Sequence, residues 1–350
     1  MIRRATALIC LLILMAGMPA HAADRVSDGQ WFHTFLRTAE AHAITTGSGV
    51  TVAVIDTGVD ASHPDLAGSV LPGADLVASG GDGRIDTDGH GTAMAGLIAA
   101  HGRVIGTAPQ VKIFPVRYAA TNEGGPLDDL AAGINWAARK GVDVISISHG
   151  DPIDDLLLKQ VVQNALAADI VVVASAGNVP KVSRVVYPAA IPGVVAVGGV
   201  DRNGNHSSVS VTGPEVVISA PSDAISSTDK GGGYREGTGT SDATAIVAGA
   251  AALIRAKFPQ LKASEVVRRL TATAVDKGAP GRDNEYGYGV LNLVAALTAD
   301  LPVATSAAAT PASTPTAPPA KGSGFPWWLI VVPIVLGVGL GALLLARRRR

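Results

Sequence analysis

Four short peptides carry side chains that together could cleave an amide bond. Asp56-Thr57-Gly58 ends one apolar run and Ser175-Ala176-Gly177-Asn178 ends another, while Asp88-Gly89-His90-Gly91-Thr92 and Gly239-Thr240-Ser241 each lead into a helical pattern. Serine is a weak nucleophile at neutral pH. It needs an imidazole to take its proton, and that ring needs a carboxylate to fix its tautomer and stabilise the cation that forms. The oxyanion of the intermediate also needs donors, which the Asn178 side-chain amide and the backbone N–H of Ser241 at its helix N-terminus would supply. Singly, each residue has an ordinary reading: a turn or cap aspartate, a structural histidine between glycines, a serine N-cap. Together, Asp56, His90, Ser241 and Asn178 form a candidate catalytic set.

These residues need a scaffold that delivers them to one place. Val50 to Ile55, Val111 to Val116, Val142 to Ile147, Ile170 to Ala174 and Val194 to Val197 are short and uniformly apolar, as parallel strands buried on both faces are. Between them, His90 to Ala100, Leu127 to Arg139, Asp154 to Ala167, Ser241 to Lys257 and Ala263 to Thr273 read as helices. The expected fold is α/β, a doubly wound three-layer arrangement with a mainly parallel central sheet, and its ligand site lies beyond the carboxyl ends of the strands. No repeat of 20 to 50 residues is visible.

The order carboxylate, imidazole, hydroxyl excludes two other chain orders of such triads, and Gly239-Thr240-Ser241-Asp242-Ala243 lacks the Gly-x-Ser-x-Gly elbow. Asp56-Thr57-Gly58 also matches the short motif of aspartic proteases. Those enzymes need two such carboxylates sharing a proton, and the chain has one copy. Asp82, Asp86 and Asp88 cluster in a Gly-rich loop without EF-hand spacing, so a solvated loop is expected. No His-Glu-x-x-His or paired Cys supplies a catalytic zinc ligand set, and neither a metal nor a cofactor is expected.

Val54-Ile55-Asp56-Thr57-Gly58-Val59, Gly89-His90-Gly91-Thr92-Ala93-Met94-Ala95-Gly96 and Gly239-Thr240-Ser241 resemble the three signature blocks of subtilisin-like serine proteases. The resemblance runs from about residue 47 to 299, ending near Gly287-Tyr288-Gly289-Val290-Leu291. It implies Asp56 as orienting carboxylate, His90 as general base and acid, Ser241 as nucleophile and Asn178 as oxyanion donor. It also implies that Ser148-His149-Gly150 is a substrate-binding strand, which an extended polypeptide would join as an added β-strand. Two positions depart from the family pattern. Asp242 replaces a common apolar residue and is expected to face away from Ser241, and His149 either makes the specificity site more polar or is a surface or core histidine.

The chain ends differ from its middle. Of 350 residues 16% are charged and 4% aromatic, which excludes a coiled coil, an acidic disordered chain and a basic nucleic-acid binder. The formal charge is −1, yet removing the seven basic residues of 1–22 and 301–350 leaves 21 basic against 29 acidic on 23–300, a net −8. Arg3-Arg4, an apolar run and Ala20-His21-Ala22 read as an export signal over 1–22. The only cysteine, Cys10, would leave with it. Residues 23–46 form a short extension whose Trp31, Phe32, Phe35 and Leu36 would pack as an apolar stripe or shield the site.

The candidate peptidase domain, 47–300, is followed by an Ala/Thr/Pro-rich linker at 301–324. Residues 325–346 carry no charge over 22 positions, enough to span ~30 Å of hydrocarbon as a helix, with Trp327-Trp328 at one end and the 347–350 arginines at the other. A single-pass protein with its catalytic domain outside and its C-terminus in the cytoplasm is expected. This layout resembles the mycosins, membrane-anchored subtilases associated with type VII secretion, and implies exported polypeptide substrates, a membrane and secretion-machinery proteins as partners. A scaffold role and a general surface protease are the competing readings.

Overall fold

The computed structural model describes residues 24–78 and 80–302, so the expected export signal, membrane span and basic tail and nearly all of the expected linker lie outside the described residues. Among the described residues no helix is long and apolar enough to cross a membrane. Seven strands, β1 (Thr51–Asp56), β2 (Ala74–Asp75), β3 (Lys112–Arg117), β4 (Val144–Ile147), β5 (Val171–Ser175), β6 (Val195–Val200) and β7 (Ile218–Pro221), form a sheet in the order β2-β3-β1-β4-β5-β6-β7. Every named pairing in it is parallel.

Strand β1 shows why the sheet is a middle layer. Val52 and Val54 join the core that contains Leu97 and Ile98 of α4 (His90–Ala99) and Ile246 and Ile254 of α7 (Thr240–Lys257). Ala53 and Ile55 join the opposite core with Leu130 and Ile134 of α5 (Leu127–Lys140) and Leu158 and Val162 of α6 (Leu156–Ala167). Side chains alternate across a strand, so an apolar run without alternation buries both faces. Helix α7 is buried continuously from Asp242 to Arg255, which explains its small Ala-rich surface. Two further helices, α8 (Ala263–Ala272) and α9 (Leu293–Thr298), close that side.

The chain moves outward from β1 to β2 and β3, then returns to place β4 on the other side of β1. The crevice beyond the carboxyl ends of β1 and β4 is therefore a topological switch point, where open α/β sheets bind ligands. An antiparallel hairpin, β8 (Ile225–Asp229) with β9 (Gly233–Gly237), lies against α4 outside the main sheet.

The 24–46 extension forms three short helices, α1 (Arg25–Gly29), α2 (Phe32–Leu36) and α3 (Thr38–Ile44). Trp31, Phe32 and Leu36 are buried in the α4/α7 core, and Trp31 Nε1 donates to the Asp223 carbonyl at 3.0 Å. His33 joins Thr38 Oγ1 at 2.7 Å and the Ile105 carbonyl at 2.9 Å. Burial holds its pKa down at about 4, although the Ile105 carbonyl favours the proton. The extension is thus core packing, and none of its residues lines the cleft described next.

Candidate active site

Asp56 is the last residue of β1, pointing its buried carboxylate over the sheet edge. His90 is the first residue of α4, and its Nδ1 lies 2.8 Å from Asp56 Oδ1, which also accepts the Thr57 N–H at 2.8 Å. The glycines beside His90 permit this approach. Gly89 takes φ 111° where the chain turns into the helix, and a Cβ on Gly91 would meet the Gly58 carbonyl oxygen at 2.1 Å.

The loop before His90 is fixed by a carboxylate that the sequence pattern assigned to solvent. Asp86 is buried and accepts hydrogen bonds from Thr57 Oγ1 at 3.0 Å, Asp88 N at 3.0 Å, Gly89 N at 2.9 Å, Thr92 N at 2.9 Å and Thr92 Oγ1 at 2.6 Å. Thr57 Oγ1 in turn accepts the Gly91 N–H at 2.9 Å, tying the end of β1 to the start of α4. The expected solvated acidic loop is corrected here: Asp82 pairs with exposed Arg84, but Asp86 is a buried hub. Five donors compensate the desolvation of its charge.

Electrostatics follow from burial and proximity. Burial pushes Asp56 upward, but the His90 and His149 rings and the hydrogen bonds it accepts outweigh that and hold it at about 2. Burial disfavours the His90 cation, yet the adjoining Asp56 carboxylate, with a smaller pull from Asp242, raises its pKa above the ordinary imidazole value. The pair is arranged as an ionised carboxylate holding an imidazole by Nδ1, which leaves Nε2 for proton transfer.

Ser241 is the second residue of α7, in the first turn, where backbone N–H groups have no partner within the helix. Its Oγ donates to the Ser148 carbonyl at 2.9 Å. Asn178, beyond β5, is oriented by its neighbours: Oδ1 accepts Thr240 N at 2.9 Å and Thr240 Oγ1 at 3.0 Å. An amide oxygen held by a backbone N–H turns its NH₂ the other way, so the assignment is forced by the donors. The Asn178 amide, the Ser241 hydroxyl and the His90 ring line one cleft, whose walls also include Ser148, His149, Gly150, Gly177 and Gly239.

Six of the seven predicted residues line that cleft, and the seventh, Asp56, is fully buried and reaches it through its contact with His90. Ser148, His149 and Gly150 follow directly on β4 along the wall of that cleft. The His149 side chain is buried in the wall of that cleft, with ring centroids 4.9 Å from His90 and 5.6 Å from Tyr118. Asp242 corrects the expectation that it faces away. It is buried in the wall of the same cleft, where desolvation pushes its pKa up to about 7 despite the opposing pull of His90 and Arg235.

Asp86, Thr57 and Thr240 were missed as site-building residues. The available signal was their position within or beside the Gly-bounded peptides, but the partners that bury them come from other segments.

A model of the subtilase family, Peptidase_S8, matches residues 47–289. The chain is 42% identical to subtilisin DY of Bacillus licheniformis, an alignment covering 71% of this chain and 91% of that protein. It is 36% identical to mycosin-1 of Mycobacterium tuberculosis, covering 92% of this chain and 85% of the mycosin. The solved structure of MycP1, described as a serine protease and an essential component of the type VII (ESX-1) secretion system, superposes with a TM-score of 0.71. That match has 36% identity and covers 79% of this chain and 90% of MycP1.

Proposed function

The chain belongs to the subtilase family and is a serine endopeptidase of mycosin type, and from that premise we propose that Asp56, His90 and Ser241 are its catalytic triad. The observation that carries this reading is the 2.8 Å contact between His90 Nδ1 and Asp56 Oδ1 on the cleft that Ser241 also lines. In the first step Ser241 Oγ bonds to the substrate carbonyl carbon while His90 Nε2 takes the hydroxyl proton. The oxyanion is received by the Asn178 NH₂ and the Ser241 N–H. The C–N bond then breaks as His90 returns the proton to the leaving amine, and water repeats the sequence to release Ser241. Ser148-His149-Gly150 holds the substrate as an extended strand. Replacing His90 or Ser241 by Ala is expected to lower kcat on an unstructured peptide by about 10⁶-fold, as in a triad that acts as a unit. A fall of less than about tenfold for Ser241→Ala would reject the reading.

The charge-free 325–346 segment and the arginines after it support an anchor in the cell membrane, with the peptidase domain outside and exported polypeptides as substrates. Likeness to a mycosin along 92% of the chain supports a place beside type VII secretion machinery. The description of MycP1 as an essential component favours a second, structural duty. Comparing export in a Ser241→Ala strain with export in a deletion strain separates them: loss only on deletion assigns export to the structural duty.

A further inference from the structure

The triad mechanism leaves one buried side chain unused. The His149 side chain is 7% exposed, and neither of its ring nitrogens has a hydrogen-bond partner. Its Nδ1 lies 3.6 Å from Asp56 Oδ2, which is also buried and without a partner. Orphaned buried polar atoms are destabilising, so a ligand that satisfies several at once has a ready driving force. One donor atom each from Asp56, His90 and His149 falls within 4.8 Å of the others, the one such grouping among the described residues.

Two imidazole nitrogens and a carboxylate oxygen form the donor set of a three-ligand zinc site with an open fourth position. Bonds of ~2.0–2.1 Å in a tetrahedron separate neighbouring ligands by about 3.4 Å, close to the 3.6 Å already present between Asp56 Oδ2 and His149 Nδ1. The cleft, which His90 and His149 both line, provides the way in. We propose that Asp56, His90 and His149 form an inhibitory site for a borderline-soft divalent cation such as Zn²⁺, which switches the peptidase off by taking the ligands of its own triad.

The proposal rests on the triad reading above and deepens it into a mode of regulation. Binding the cation needs the lone pair of His90 Nδ1, so the single proton of the neutral ring moves to Nε2. An Nε2–H cannot accept the Ser241 proton, and the Nδ1 hydrogen bond to Asp56 is replaced by a bond to the cation. No proton need be lost overall, because the neutral ring exchanges one tautomer for the other.

Zn²⁺ binding to the full-length Ser241→Ala chain, which cannot digest itself, is the direct test. Calorimetry should show one site, weakened by about tenfold or more when His149→Leu is added, as expected when a supporting ligand is removed. His149→Gln, which keeps a polar tip, should weaken it likewise and serves if the leucine variant does not fold. In the chain with Ser241 intact, Zn²⁺ should inhibit peptide cleavage reversibly with EDTA, and each His149 variant should need about tenfold more Zn²⁺ for half-inhibition of its own rate. Absence of binding, equal binding with and without His149, or binding without inhibition would each overturn the proposal. A metal-free enzyme that cleaves no peptide would instead count against the triad reading, while calorimetry still decides the metal site.

Discussion

Ser241 and Ser148 are joined by two hydrogen bonds that run in opposite directions. Ser241 Oγ donates to the Ser148 carbonyl at 2.9 Å, and Ser148 Oγ donates to the Ser241 carbonyl at 3.2 Å. Among the described residues no hydrogen bond joins Ser241 to His90, so the nucleophile rests on the strand that the substrate is proposed to join. A substrate N–H that takes the Ser148 carbonyl would release the hydroxyl toward His90, coupling docking to activation. Methylating the backbone nitrogen of the residue that carries the scissile carbonyl should therefore lower kcat/KM by about tenfold or more, the worth of one well-placed hydrogen bond. Equal turnover of the methylated and parent peptides would break this link.

Asn178 makes a separable contribution. Replacing it with Ala removes an oxyanion donor, and kcat should fall by about 10²–10³-fold with a small change in KM. A change confined to KM would place the amide in ground-state binding instead.

The sequence showed where these groups attach but not how they are buried. Asp56, His90 and Ser241 were legible because each lies in a Gly-bounded peptide at the end of an apolar element, and both flanking glycines of His90 have steric reasons to be there. The five parallel strands read as apolar runs for an equally local reason: both faces are covered. Strands β2, β7, β8 and β9 escaped that reading. Ala74–Asp75 is only two residues long, Ile218–Pro221 breaks its apolar run with Ser219 and Pro221, and the hairpin of Ile225–Asp229 with Gly233–Gly237 is polar, held by register across a turn rather than by its own apolar surface. Asp86, Asp242 and His149 were misjudged or left open because their environments are assembled from distant segments, which no spacing along the chain reveals.

Asp86 illustrates the energetic side of that lesson. Asp86→Ala orphans five donors around the His90 loop and should destabilise the protein by about 3 kcal/mol or more. Urea unfolding measures this, and a loss under about 1 kcal/mol would show that the loop is held by other contacts.

Asp242 sets the pH response. Its carboxylate favours the His90 cation, so Asp242→Asn lowers the His90 pKa and moves the acid limb of kcat/KM to lower pH. Above its pKa of about 7, ionised Asp242 beside Ser241 opposes the oxyanion. The variant should therefore also be faster at alkaline pH, by about threefold to tenfold. Superimposable profiles would mean that the carboxylate does not reach the reacting atoms.

His33 makes the extension acid-sensitive. Its folded pKa, about 4, lies below the ordinary 6.5, so the unfolded chain binds the proton more readily. Stability from this group is present above 6.5 and is lost as pH falls toward 4, a change on the order of 3 kcal/mol at 1.36 kcal/mol per pKa unit. Thermal unfolding between those limits should show a smaller acid loss in His33→Gln than in the parent, and an equal loss would exclude His33 as the source.

The central claim, that Ser241 is the nucleophile His90 activates, is tested most directly by fluorophosphonate labelling of the full-length chain followed by mass mapping of the modified peptide. The account predicts one label, on Ser241, abolished by Ser241→Ala and strongly slowed by His90→Ala. Labelling that persists in Ser241→Ala, or that maps to another residue, would contradict it.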